Sequence, residues 1–327
     1  MSSLQSLNLV CLSFIVVFSV MSVESRLFPT KQLDQAIIKI ITVGNNGDYY
    51  TIQSAIDSVP SWSNKWTRIH VKGGSYREKV VIPHDKPYIV LEGDGCMNTT
   101  ILWNDCDDIE EPTIKVLAQN FVAKSISFKN TIYEENPDHP KGVAALIAGD
   151  MSAFYDCRFY GMQDTLYDKE GRHYFKSCYI EGATDFIFGN GRSIYEDCSI
   201  NVTAGNIRAG FITAQSRSTP SELTGFVFKN CIVNGTGETF LGRPWRRYSR
   251  VMFYKSYLSE VVIREGWYAW DFAGDEGTIL YAEFNCTGIG SETAGRVKWE
   301  KVVSQKDADQ LADISFIDQE GWLLNHP

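Results

Sequence analysis

The stretch 154–200, FYDCRFYGMQDTLYDKEGRHYFKSCYIEGATDFIFGNGRSIYEDCSI, repeats itself. Its cysteines stand at 157, 178 and 198, each inside a short run of aromatic and β-branched residues: FYDCRF, YFKSCYI, YEDCSI. A fourth run, FKNCIV, holds Cys231, so the steps are 21, 20 and 33 residues. Copies without cysteine flank them, SISFKN from Ser125 and FYKSYL from Phe253. The segments between, GMQDTLYDKEGR, GATDFIFGNGR and GTGETFLGRPW, bear polar and glycine turn residues and are too short for crossover helices. Helical periodicity is weak from Ile69 to Tyr257. Strands recurring every ~20 residues therefore predict an all-β parallel β-helix with one repeat per coil. A β-sandwich would space its strands at about 8–12 residues and need no repeat in register. The step of 33 reads as a coil with an inserted loop around NVTAGNIRAGFITAQSRSTPSE. Neighbouring coils stack roughly 4.8 Å apart, which suits the ladder cysteines equally to bridges between coils and to burial as small hydrophobes.

The ends read differently. DYYTIQSAIDSVP has apolar residues at Ile52, Ala55, Ile56 and Val59, a helical spacing closed by Pro60, and SQKDADQLADIS reads as a helix with Ser304 as N-cap. Both are expected to cover the open ends of the stack. Residues 1–25 read as a secretory signal peptide. Their apolar run Leu9–Val20 is too short to span a bilayer, and Ser22 and Ser25 offer small residues for cleavage. The expectation is one mature domain over 26–327, exported, extracellular, monomeric and without a membrane anchor. Sequons at Asn98, Asn201, Asn234 and Asn285 are the candidate glycosylation sites. Loss of Cys11 with the leader leaves seven cysteines, so at least one stays a thiol. At 327 residues, 44% hydrophobic and 13% aromatic, the chain has ample material for one long core. Its net charge of −9 argues against a nucleic-acid partner, which needs a basic surface.

Asp164 and Asp185 follow Cys157 and Cys178 by the same seven residues, so they differ by one repeat. Stacking would set them roughly 5 Å apart at the backbone. Two like charges so close raise one pKa, giving a protonated acid beside an ionised base or nucleophile, the division that hydrolysis uses. Asp is also a common turn residue, but here both run on into apolar segments, at Leu166 and at Phe186-Ile187-Phe188. Arg243, in FLGRPWRRYSR, is the candidate positive partner, able to hold one carboxylate in a bidentate pair. Trp245 suits core filling and, beside a polar site, a sugar-stacking platform equally, and aromatics recur in REGWYAWDF at Trp267, Tyr268 and Trp270. There is no G-x-S-x-G, H-E-x-x-H or P-loop, and the five histidines lack metal spacing. A carboxylate-based hydrolase with no cofactor and no metal is the chemistry left.

These segments, together with GGSYREKVVIP, GMQDTLYD, DFIFG, LGRPW and CTGIGSETAGRVKW in that order, resemble the plant pectinesterases (pectin methylesterases, carbohydrate esterase family 8) from about Ile41 to Asn325. The resemblance implies a single-stranded, right-handed parallel β-helix of the pectin-lyase-like kind. It implies hydrolysis of the C6 methyl esters of homogalacturonan in the cell wall, without a cofactor. It further implies Asp185 as nucleophile, Asp164 as acid and then base, Arg243 paired with Asp185, and Gln163 as oxyanion donor. Phe188, Trp245 and Trp267 would line the cleft. A short form lacking the inhibitor-like pro-domain, and a proteinaceous inhibitor as partner, are also implied.

Two positions depart from the family pattern: Lys141 stands where a segment of the form Q-A-V-A usually opens, and Leu146 replaces a frequent Arg. Lys141 is therefore a candidate substrate-binding cation, and a second reading, a pectin-binding relative with weakened hydrolysis, rests on it. A polygalacturonase would show N-T-D and G-H-G, which are absent. A lyase would need a calcium-binding acidic cluster, and DCDDIEE at 105–111 lies far along the chain from the ladder aspartates.

Overall fold

The computed structural model describes residues 37–106, 108–205 and 209–327. The leader and its cleavage site lie outside these residues. Each complete coil gives one strand to each of three parallel sheets, which hold ten, eight and seven strands because the end coils contribute to fewer. The coil holding Asp164, for example, contributes Ser152–Tyr155 to the ten-stranded sheet, Arg158–Tyr160 to the eight-stranded and Leu166–Asp168 to the seven-stranded. The next coil repeats this with Arg172–Lys176, Tyr179–Gly182 and Thr184–Gly189. This is the parallel β-helix that the cysteine ladder predicts.

In-register parallel pairing places equivalent side chains one above another, and the core is built on that. Phe154, Phe175, Tyr195, Phe228 and Phe253 are successive Cα partners. Their rings stack with centroids 4.9, 4.5, 4.7 and 4.5 Å apart and planes within 12°. Ring spacing thus matches the spacing of adjacent strands, and each ring fills the gap its neighbour would leave. Phe175→Ala removes a fully buried ring from the middle of the column. It should cost about 3–5 kcal/mol, the usual toll of a large aromatic cavity, visible as a lower midpoint in denaturant at unchanged slope; a loss below ~1 kcal/mol would show that the column is not tightly packed.

The corner from the ten- to the eight-stranded sheet repeats as well. Ser125, Asp156, Ser177, Asp197, Asn230, Lys255 and Asn285 all have φ between 50 and 55°. Asp and Asn tolerate this left-handed region better than most residues. Five of these corners immediately precede a cysteine. Corner N–H groups bond to the next coil, as Asp156 to the Lys176 carbonyl at 3.0 Å and Asn230 to that of Tyr254 at 2.9 Å. The chain therefore turns without orphaning backbone donors. Cys157, Cys178, Cys198 and Cys231 stand as buried thiols. Cys178, Cys198 and Cys231 donate to the carbonyls of Phe154, Phe175 and Tyr195. Of the two readings left open by the sequence, the small buried hydrophobe is the one realised here.

A helix over Ile52–Asp57, capped by Thr51, packs Ile52, Ala55 and Ile56 against the first coil. The helix Gln305–Ala312 has Ser304 as N-cap, as predicted, but it does not cover the end of the stack. It lies on the outer face of the ten-stranded sheet, over Ile194, Val227 and Met252. That face is apolar at those outward positions and needs cover more than the last strand does. The long coil between Cys198 and Cys231 takes its extra residues at the corners on either side of the strand Gly210–Gln215, which pairs in unbroken register with Thr239–Gly242 and, with one register shift between Thr184 and Ile187, with Thr184–Gly189.

Candidate active site

The corner from the eight- to the seven-stranded sheet builds the site. Lys141, Gln163 and Thr184 are successive bridge partners, and the row continues through Phe211 and Phe240. Asp164 and Asp185 each follow a member of that row, at φ 63° and 49°. The Asp164 N–H bonds to the Thr184 carbonyl at 3.1 Å, tying one aspartate's backbone to the coil of the other. Both aspartates take the left-handed conformation that Asp tolerates, as at the other repeating corners. The one-repeat separation read from the sequence is thus a one-rung separation in space.

Both carboxyls are nearly covered, Asp164 9% exposed and Asp185 7%. Arg243 grips Asp185 with both arms of its guanidinium: Nε donates to Oδ1 at 2.8 Å and Nη2 donates to Oδ2. The guanidinium itself is sandwiched between Phe211 and Trp270, 4.2 and 3.8 Å from its carbon to the ring centroids. Fixed so, it cannot swing away from the carboxylate. Gly242 before it is obligatory in packing terms, since a Cβ there would sit 2.0 Å from Thr213 Oγ1.

Burial pushes the Asp164 carboxyl up to about 7, the charge of Asp185 pushes the same way, and Lys141 and Arg243 pull it down. Burial also raises Asp185 above the ordinary carboxylate range, while the Arg243 pair and Lys141 oppose the rise. Near neutrality the site therefore holds one carboxyl able to give a proton beside one clamped by a cation. Such a pair has the charge states that an acid and a nucleophile at adjacent rungs would need.

The pocket encloses about 300 Å³ and is lined by Lys141, Gln163, both aspartates, Phe188, Arg243 and Trp245, with Ile109, Ala214 and Trp270. Phe188 stacks on Tyr167 at 4.4 Å, and Trp245 lies 5.9 Å from Phe188. Trp267 is a correction. It is 1% exposed, lies in the main core against Tyr281 at 4.5 Å, and donates from Nε1 to Glu300. Trp270, three residues on, takes the place at the pocket, because the chain leaves its strand bridge at Trp267 and enters a short 3-10 turn at Trp270–Phe272.

Ile109 is a second surprise. The segment 105–111 is remote from the aspartates along the chain, yet Ile109 packs with Leu146, Tyr167 and Phe188 beside the pocket. Leu146 supplies an apolar seat for it. The signal was present in the sequence: one isoleucine among five acidic residues. Phe211 was also missed, since the inserted residues of the long coil hide its row from simple counting.

A family model described as Pectinesterase matches residues 39–320. The chain is 50% identical over 293 residues to "Probable pectinesterase 29" of Arabidopsis thaliana, covering 86% of this chain and 87% of that one. It is 46% identical to "Probable pectinesterase 55" of the same plant, covering 88% and 90%. Among solved structures it is similar to pectin methylesterase from carrot, with TM-score 0.83 and 33% identity over 87% of this chain and 94% of that one. The Aspergillus niger enzyme gives TM-score 0.77 and 31% identity, covering 88% and 96%. With a family model spanning nearly all of the described coils and relatives at half identity along their length, this chain belongs to the pectinesterase family.

Proposed function

We propose that this protein hydrolyses the C6 methyl esters of homogalacturonan, releasing methanol and leaving a free carboxylate, by an aspartyl-ester mechanism. The observation that carries the reading is the pair Asp164 and Asp185 on adjacent rungs with Arg243 clamped to the second. An Asp185 carboxylate oxygen attacks the ester carbonyl carbon. The resulting oxyanion is met by the Gln163 amide and the Lys141 ammonium, which flank the aspartates. As the tetrahedral species collapses, Asp164 gives its proton to the leaving methoxide, and an anhydride links Asp185 to the sugar's C6 carbonyl. Asp164, now ionised, takes a proton from water; the hydroxide attacks the carbonyl and expels the Asp185 carboxylate. Phe188, Trp245 and Trp270 form the apolar wall against which a neutral methyl-esterified unit lies. Methanol release from highly esterified pectin tests the reading directly; none above a heat-killed control would sink it.

Lys141 does the work of a cationic oxyanion donor in place of an amide. Lys141→Met should lower kcat by about 10²-fold, as loss of an oxyanion donor does elsewhere, while Lys141→Gln should restore most of it. Both should move the alkaline limb of the pH profile upward, because Lys141 is one of the charges holding Asp164 down. Unchanged kcat and an unmoved limb in Lys141→Met would remove Lys141 from the site. The second reading, weakened hydrolysis with pectin binding, has no observation in its favour, since the lysine lines the same pocket as Gln163.

The protein is exported to the cell wall with residues 1–25 as a removable leader and 26–327 as one domain. Asn98, Asn234 and Asn285 are exposed and Asn201 is half-buried, so glycans on the first three need no rearrangement. The mature protein acts as a monomer, and a proteinaceous inhibitor would engage it over the cleft.

A further inference from the structure

Outside the catalytic pocket, two lysines of the seven-stranded sheet and its edge are occupied by the protein's own glutamate. Lys115 is on the strand Ile114–Val116 of the seven-stranded sheet, and Lys169 directly follows the strand Leu166–Asp168. Lys115 belongs to an outward row that runs rung by rung from Val81 through Lys115, Leu146 and Tyr167 to Phe188 at the catalytic pocket. Lys169 Nζ lies 5.8 Å from the centre of the Tyr167 ring in that row. Both point at Glu110. Lys169 donates to Glu110 Oε1 at 2.6 Å, while Lys115 donates to the Glu110 main-chain carbonyl at 2.7 Å and stands 3.5 Å from Oε2. The Glu110 side chain is 40% exposed, and its neighbour Ile109 reaches the catalytic pocket.

We infer that Lys115 and Lys169 form a binding position for a free uronate carboxylate of the polymer, and that Glu110 occupies it when no polymer is bound. Three features support this. Lys115 shares a row with Phe188 of the pocket and Lys169 lies beside that row, the two converge on a single carboxylate, and that carboxylate comes from a half-exposed loop residue rather than from a buried strand. A galacturonan carrying free carboxylates presents the same group at intervals along an extended chain. Such a chain exchanges one carboxylate for another at the two ammonium groups, with no net charge buried. The enzyme would then favour chains already partly de-esterified, and Glu110 would set how strongly. This rests on the esterase reading for its substrate but is tested by binding alone.

The experiment is calorimetric titration of the intact protein with a fully de-esterified oligogalacturonate. Glu110→Gln should tighten binding about two- to fivefold, the range spanned by half-exposed ion pairs. Lys115→Met combined with Lys169→Met should weaken binding, and Glu110→Gln added to that pair should have no further effect. The inference is overturned if Glu110→Gln leaves affinity unchanged, if it tightens binding equally without the lysines, or if polyglutamate gains as much as the oligogalacturonate. Methanol release from esterified pectin, measured in parallel, separates the two readings: its absence would overturn the esterase assignment, whereas the lysine site stands or falls on the titration.

Discussion

Replacing Asp185 with Asn should abolish methanol release, lowering kcat by about 10⁴-fold or more, as removal of a nucleophile does where the groups act as a unit. The change keeps the side chain's shape, and Arg243 can still donate to the amide oxygen, so the fold should survive. What disappears is the anionic oxygen that, in the proposed mechanism, attacks the ester carbon. An amide oxygen cannot form the anhydride. The guanidinium loses its charged partner, but Phe211 and Trp270 still hold it on both faces. Equal pectin binding with activity lost is therefore the expected result, checked by methanol release alongside thermal melting. Residual turnover above about a thousandth of wild type would place the nucleophile elsewhere, since loss of a supporting donor costs about 10²–10³-fold.

In the proposed mechanism Asp164→Asn removes both the proton given to methanol and the base that activates water, and should cost about 10³-fold or more in kcat, near the upper range for acid–base groups. The wild-type profile then has a defined shape. Asp164 must be protonated when the first step begins, and its carboxyl is pushed up to about 7 chiefly by burial and next by Asp185. kcat/KM should accordingly fall as pH rises through about 7. On the acid side it should fall as Asp185 takes up a proton, above the ordinary carboxylate range because burial raises it against the pull of Arg243. The limbs belong to the pair rather than to either residue singly.

Stability follows the same group. Unfolded, Asp164 releases its proton near 4; folded, it does so near 7. A carboxyl raised on folding stabilises the native state below its unfolded pKa, and that contribution is lost as pH climbs from about 4 to 7. Asp164→Asn, which cannot ionise, should gain stability on wild type between pH 5 and pH 8. A parallel decline in melting temperature for both proteins over that interval would show that Asp164 titrates normally.

Much of this was legible because a β-helix converts sequence interval into position. The residue before each ladder cysteine is Asp, Ser, Asp or Asn, the types that accept a left-handed corner, so the turn and the thiol announce one another. Asp164 and Asp185 inherit their spacing from that rule. Legibility ends where the interval does. Trp267 and Trp270 lie beyond the regular coils, where no period tells a core ring from a surface one. Phe211 sits past an insertion that breaks the count. Ile109 acts across the stack from a loop whose sequence distance says nothing about its reach. The helix after Ser304 was correctly placed along the chain but not in space, because its own pattern marks an apolar face without naming the surface that matches it.

The long coil between Cys198 and Cys231 has a wider meaning. It absorbs its surplus residues at corners while its strands stay paired with the coils on either side, the single register shift falling between Thr184 and Ile187. Catalytic spacing here belongs to the hydrogen-bonded ladder, and loop length does not enter it. The fold thus works as a chassis with exchangeable fittings: corner segments can lengthen, shorten or change charge, altering which polymer is held and how firmly, while the two aspartates keep their distance.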